Sequence, residues 1–191
     1  MKHNEFIQNA IKTESVVDEL NVDSQVLVKS LEIFIEATEI LDAIKKQAFY
    51  NNSKKMKNIK QNIKKIRECL DTLEFTAHHI ENEQFKPENP TNVNTRVAHG
   101  VIGIATESGE LVECFLNGMR SGKGLDTVNL VEEMFDGDWY KAVISDELDI
   151  DWEQSWELII NKLKARFGEK FSEAKANDRD TESERKILEG G

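Results

Sequence analysis

The sequence is poor in the residues that mark several protein classes. Only two cysteines occur in 191 residues, Cys69 and Cys114, each inside a helical hydrophobic pattern. Two thiols make no disulfide framework, so free cysteines in a reducing cytoplasm are the simplest expectation. Two prolines, Pro87 and Pro90, and ten glycines exclude a collagen-like repeat or a long low-complexity tail. No apolar run reaches the roughly 18 residues that suggest a bilayer span. The first turns of chain carry Glu5, Glu14 and Asp18 and lack a continuous apolar stretch, so no secretory signal is expected. Positive charge is in deficit, with 25 Lys and Arg against 36 Asp and Glu, a net −11. The deficit is uneven: residues 1–91 carry 13 basic and 15 acidic side chains, and 92–191 carry 12 and 21. Such a chain is a poor non-specific binder of nucleic acid or anionic membrane, and neither is expected as a partner.

Several chemistries are missing as well. There is no His-Glu-x-x-His, no Cys-x-x-Cys and no Gly-x-Ser-x-Gly. None of His3, His78, His79 or His99 follows a Glu by three residues, as a di-iron carboxylate bundle would need. Gly122-Lys123 is not a phosphate loop: Gly124 stands at the Ser/Thr position and no strand precedes it.

What is present is helical periodicity. Apolar residues Val26, Leu31, Phe34, Ile35, Ile40, Leu41 and Ile44 follow a 3.6-residue period and predict a helix from about Ser24 to Phe49. Ile59, Ile63, Ile66, Leu70, Leu73 and Ile80 predict another, from near Lys55 to about Glu83. A short helix is expected over Glu5 to Thr13. Further helices are expected over Thr95 to Met119, from an Asp126 or Thr127 cap to Ser145, and over Trp152 to Phe167, where Gly168 ends the pattern. The polar remainder, Glu169 to Gly191, is an arm or a short helix. No segment alternates with period two. The fold class expected is all-α, an antiparallel helical bundle with short loops.

Sliding the chain by 71 residues superimposes Ile33 on Ile104, Glu36 on Glu107, Glu39 on Glu110 and Asn58 on Asn129. The break at Asn51–Ser53 falls on Gly122–Gly124. Tandem duplication and shared amphipathic patterning both account for this. A duplication divides the chain into a degenerate N-terminal repeat, 1–84, and a second repeat with a C-terminal arm, 85–191. The copies differ in acid content: Asn62 stands opposite Glu133, and Lys65 opposite Asp136.

In the second copy, Glu107-Ser-Gly-Glu110 puts two carboxylates at i and i+3, about 60° apart on one helical face. Glu132-Glu133-Met-Phe-Asp136 repeats the arrangement on the next helix. A turn at 121–124 makes the two helices neighbours, so Glu107, Glu110, Glu133 and Asp136 converge. Like charges disfavour ionisation, and a cation must neutralise them. Oxygen-only ligands select hard ions, Mg²⁺ or Mn²⁺, and Mg²⁺ keeps positions open for water and substrate phosphates.

The run His99-Gly-Val-Ile-Gly-Ile-Ala-Thr-Glu-Ser-Gly-Glu-Leu, then Asn129-Leu-Val-Glu-Glu-Met-Phe-Asp and Trp139-Tyr140, resembles the MazG-like nucleoside triphosphate pyrophosphohydrolases. The likeness continues through Lys162-Leu-Lys-Ala-Arg166-Phe, Phe171-Ser-Glu, Arg179-Asp180 and Glu184-Arg185, covering roughly 95 to 189. It implies an all-α NTP pyrophosphatase fold with Glu107, Glu110, Glu133 and Asp136 as metal ligands for Mg²⁺ or Mn²⁺. It implies conversion of an NTP or dNTP and water to the monophosphate and pyrophosphate, with clearance of non-standard or surplus nucleotides as the role. Glu110 or the spare Glu132 is the candidate to take the proton of the attacking water. Lys162 and Arg166, at i and i+4, would face the triphosphate. Arg179, Lys123 in the turn, His99 and Trp139 are further substrate-binding candidates; as bland readings they are surface charges or core residues. The sequence departs from the family at Gly137 and Asp138, where apolar residues are usual, and at Asp178, where Asn is common. Family members pair their bundles between subunits; here a tandem copy could supply that pairing within one chain, and self-association is also open. Phosphoribosyl-ATP or dUTP as substrate, and a catalytically idle helical interaction module, are the alternatives.

Overall fold

The computed structural model describes residues 2–82, 86, 88–168 and 170–190. The helix end expected at Glu83, the division expected between 84 and 85, Pro87, and the arm's outer residues Glu169 and Gly191 lie outside these. Among the described residues every regular element is helical, and the class is all-α. The described residues form eight α-helices: α1 His3–Ala10, α2 Ser24–Tyr50, α3 Ile59–Glu81, α4 Thr95–Ser121, α5 Thr127–Glu147, α6 Trp152–Phe167, α7 Glu173–Asn177 and α8 Thr181–Leu188. None is long and apolar enough to cross a membrane. The polar C-terminal remainder, left open between arm and helix by its pattern, holds the two short helices α7 and α8.

Residues at the helix ends explain the boundaries. The Asp23 carboxylate caps α2, accepting from the backbone N–H groups of Gln25 (2.9 Å) and Val26 (3.1 Å). Its other oxygen accepts from Glu88 N–H at 3.0 Å, tying the chain after α3 to the start of α2. Burial opposes ionisation of Asp23, yet these three N–H groups hold its carboxyl below the ordinary value. Asn94 caps α4 and Asp126 caps α5 in the same way. The helices α2 and α4 stop at residues in the left-handed region, Asn51 (φ 45°) and Gly122 (φ 65°).

The chain gathers into two compact units that interleave in sequence: residues 1–20 with 91–152, and residues 21–90 with 153–191. The sequence division at 84/85 does not describe them, because hydrophobic and ionic contacts attach the N-terminal segment to α4 and α5.

In the first unit, α4 and α5 form an antiparallel hairpin. Two glycines on α4 let it close. A β-carbon at Gly100 would run into Ile144, and one at Gly103 would run into the Tyr140 ring. The short helix α1 packs on α5: Ile7 and Ala10 are buried with Ala142, and Phe6, Ile11, Trp139 and Trp152 close around them. The Trp139 indole N–H donates to the Ala10 carbonyl and the Thr13 hydroxyl, both at 3.1 Å. Arg96 on α4 completes the attachment. Its guanidinium meets both Glu14 oxygens (2.9 and 2.6 Å), Asp146 (2.8 Å) and Glu147 (2.9 Å).

In the second unit, α2 and α3 form another antiparallel hairpin around Ala43, Cys69 and Thr76, whose hydroxyl donates to Gln25 Oε1 at 3.1 Å. The Tyr50 and Phe171 rings meet at 5.5 Å, and Asn52 donates to Asn177, docking α7 on the end of α2. Buried Glu184 on α8 accepts from Arg166 on α6 (2.6 and 2.5 Å) and from Arg179 (2.6 Å).

Candidate metal centre

The site is built on the middle turns of α4 and α5. Glu107 and Glu110 project from one face of α4, and Glu133 from α5. One carboxylate oxygen from each lies within 4.8 Å of the other two. Buried Gly137 lies beside them on α5: a β-carbon there would sit 4.0 Å from Glu107 Cβ, an ordinary contact. Glu133 is buried at 8% exposure, Glu107 is half-buried and Glu110 is exposed. The trio therefore runs from the helix interface out to solvent, as an ion needs if it is to keep some coordination positions for other ligands.

Electrostatics follow from that geometry. The Glu107 carboxyl is pushed above its ordinary value, first by burial, then by the charge of Glu110 and by its hydrogen bond with Glu133. Glu133 is pushed up by burial and by the Glu110 charge. The Tyr140 hydroxyl, one turn beyond Asp136, is raised by burial and by Glu107, Asp136 and Glu110. All three shifts oppose accumulating negative charge. Among the described residues none of the four expected ligands pairs with a Lys or Arg, so the relief inside the site is a proton held between Glu107 and Glu133.

Asp136, expected as the fourth ligand, does not join the converging trio. It is exposed, three residues beyond Glu133, and acts on Glu107 and Glu133 through its charge. Glu132 also stands outside the trio and is exposed, and it too disfavours ionisation of Glu133. Beside the carboxylates runs a cavity of about 260 Å³. Ile104, Leu111, Met134 and Phe135 form its apolar walls, and Asp138 and Lys141 pair at 2.8 Å on its rim. Lys141 escaped the sequence reading. The available signal was its position: Glu133, Gly137 and Lys141 recur at i, i+4 and i+8 on the face of α5 that turns to α4. Asp138, one of the two departures from the family's usual apolar residues, is engaged by this lysine.

The expected substrate-binding residues fall in both units. Lys123 sits exposed in the α4–α5 turn. Glu110 lies 11 residues before the end of α4, about 16 Å along its axis, so the lysine is not beside the acids. Trp139 is committed to α1 through its indole N–H. His99 meets the Trp139 ring at 5.8 Å and the Tyr140 ring at 5.5 Å, and its Nδ1 is buried without a hydrogen-bond partner. Lys162, Arg166 and Arg179 belong to the second unit, whereas the carboxylates belong to the first. Glu184 engages Arg166 and Arg179, and the hydrogen bonds from Arg179 and Arg166 hold its carboxyl down at about 2. Both arginines pair with Glu184 within their own unit. No protein-family model matches the chain, and no curated protein or solved structure shows significant similarity to it.

Proposed function

We propose that the chain is a metal-dependent nucleoside triphosphate pyrophosphohydrolase whose centre is the Glu107, Glu110 and Glu133 trio, with Asp136 at its edge. One observation carries the reading: three carboxylates from two helices converge with no basic side chain among them. Hard oxygen donors of this kind suit Mg²⁺ or Mn²⁺. The MazG-like motifs supply the substrate class.

A bound ion would neutralise phosphate charge and make a water more acidic. The protein's own groups divide the remaining tasks. Glu110, on the solvent side of the trio, is placed to accept a proton from an attacking water. Glu132 stands away from that position and is the weaker candidate. Lys141 offers an ammonium at the cavity rim for a phosphate oxygen. Ile104, Leu111, Met134 and Phe135 offer an apolar wall of the right chemistry for a nucleobase. Clearance of non-standard or surplus nucleotides is the corresponding role.

A second reading has its own support. The same hairpin exposes Phe115 (50%), Met119 (64%), Val128 (77%) and Val131 (49%), which suits a helical interaction module. Pyrophosphate release from a nucleotide panel, with dUTP and phosphoribosyl-ATP included, separates the two. Activity with Mg²⁺ that vanishes with EDTA supports hydrolysis and names the substrate. Silence on every nucleotide from folded, metal-loaded protein rejects it in favour of the module.

A further inference from the structure

The two hairpins agree in detail at the 71-residue offset. Both α2 and α4 are 27 residues long, from Ser24 to Tyr50 and from Thr95 to Ser121. Their side-chain caps, Asp23 and Asn94, are 71 apart, and so are their left-handed stops, Asn51 and Gly122. Buried Ala43 corresponds to buried Cys114. The pairing across each hairpin keeps the same register. Glu36 meets Asn62 at 2.6 Å where Glu107 meets Glu133. Glu32 meets Cys69 where Gly103 meets Tyr140. Amphipathic patterning alone does not place caps, stops and cross-helix partners at one common offset.

At the position of Asp136 the first hairpin has Lys65, whose Nζ lies 2.6 Å from Glu36 Oε1. We infer that the α2–α3 hairpin carries the same cation position as α4–α5, and that the Lys65 ammonium fills it in place of a metal ion. Glu39, the counterpart of Glu110, is likewise satisfied from within: Lys55 meets it at 2.8 Å and meets Asp42 at 2.8 Å. The ionisation of the matched acids differs in sign. Glu36 is held below its ordinary value by Lys65 and then Asn62, whereas Glu107 is pushed above it by burial and neighbouring acids. One hairpin brings its own cation; the other leaves the position to a solute. The inference rests on the metal reading of α4–α5 for the identity of that solute, and on the register alone for the equivalence.

The test exchanges the residues that differ. In the full chain, Asn62→Glu with Lys65→Asp restores the acid set in the first hairpin. Mn²⁺ bound per chain, measured by titration calorimetry, should rise about twofold over the wild type. An unchanged stoichiometry in a variant with wild-type helix content overturns the inference. The reverse exchange, Glu133→Asn with Asp136→Lys, covers the case in which the first variant fails to fold. It should melt at a higher temperature than wild type in EDTA and should no longer respond to Mn²⁺. A reverse variant no more stable than wild type in EDTA also overturns the inference. Wild-type protein that binds no Mn²⁺ removes the metal reading of the proposed function, and the EDTA melting of the reverse variant still decides the equivalence.

Discussion

Neutralising Glu107 should have opposite effects on stability with and without metal. In Glu107→Gln the side chain keeps its size and loses its charge. Its oxygen lies within 4.8 Å of one on Glu110 and one on Glu133. Two unit charges at that distance repel by about 1 kcal/mol in water and about 3 kcal/mol at an effective dielectric of 20. Glu110 is exposed, so the gain on removing the Glu107–Glu110 repulsion should be near the lower value, about 1 kcal/mol. For a chain of this size that is a rise of about 2–4 °C in melting temperature, measured in EDTA. Metal reverses the order. An ion at 100 times its Kd stabilises the wild type by about 2.7 kcal/mol, roughly 5–11 °C. The variant has lost a ligand and should gain much less. The assay is thermal unfolding followed by circular dichroism, in EDTA and in millimolar Mn²⁺ at constant ionic strength. A variant less stable than wild type in EDTA would refute the repulsion argument. One that responds to Mn²⁺ as fully as wild type would refute the assignment of Glu107 as a ligand.

The raised Glu107 and Glu133 carboxyls predict an acid-side gain in stability for metal-free protein. The folded state binds these protons more readily than the unfolded state, so their contribution is favourable below the unfolded value near 4.5 and is lost as pH rises through the folded values. Denaturation in EDTA should show this slope, and saturating Mn²⁺ should abolish it. Glu184 has the opposite sign: its contribution, present above about 4.5, is lost as pH falls toward about 2. Arg166→Ala, which leaves buried Glu184 with Arg179 alone, should cost about 2–3 kcal/mol in urea denaturation, while Arg166→Lys should recover part of it. Gly103→Ala should force α4 away from Tyr140, cost about 1–3 kcal/mol, and weaken Mn²⁺ binding measured by calorimetry.

Helix positions were legible because caps and stops are local chemistry. Asp126 and Gly122 act on the backbone beside them, and a 3.6-residue stripe needs no knowledge of what it packs against. The three glutamates were legible for a related reason: i and i+3 spacing on two helices joined by a short turn sets the acids on faces that can meet. Asp136 shows the limit of that argument, since spacing gives the face of a helix but not the side-chain reach. The cations were harder. Arg166 and Arg179 read as free basic residues until α8 brings Glu184 against them, and nothing in their own segments announces that acid. The N-terminal segment was harder still. Its attachment runs through Trp139 and Arg96, about 80 to 130 residues away in sequence.

The Arg96 clasp has a consequence for how the chain is made. Glu14 leaves the ribosome long before Asp146 and Glu147, so the guanidinium has one of its three acidic partners when it emerges and must wait for the other two. Both helices of the α2–α3 hairpin are made within that interval. During synthesis α1 is a short amphipathic segment with no α5 to cover Ile7 and Ala10, and eight residues are too few to hold a helix unaided. The first unit thus closes around two segments made far apart in time, 1–20 and 91–152. A fragment begun after the first 84 residues would start with Arg96 missing Glu14 and with Ala142 facing water.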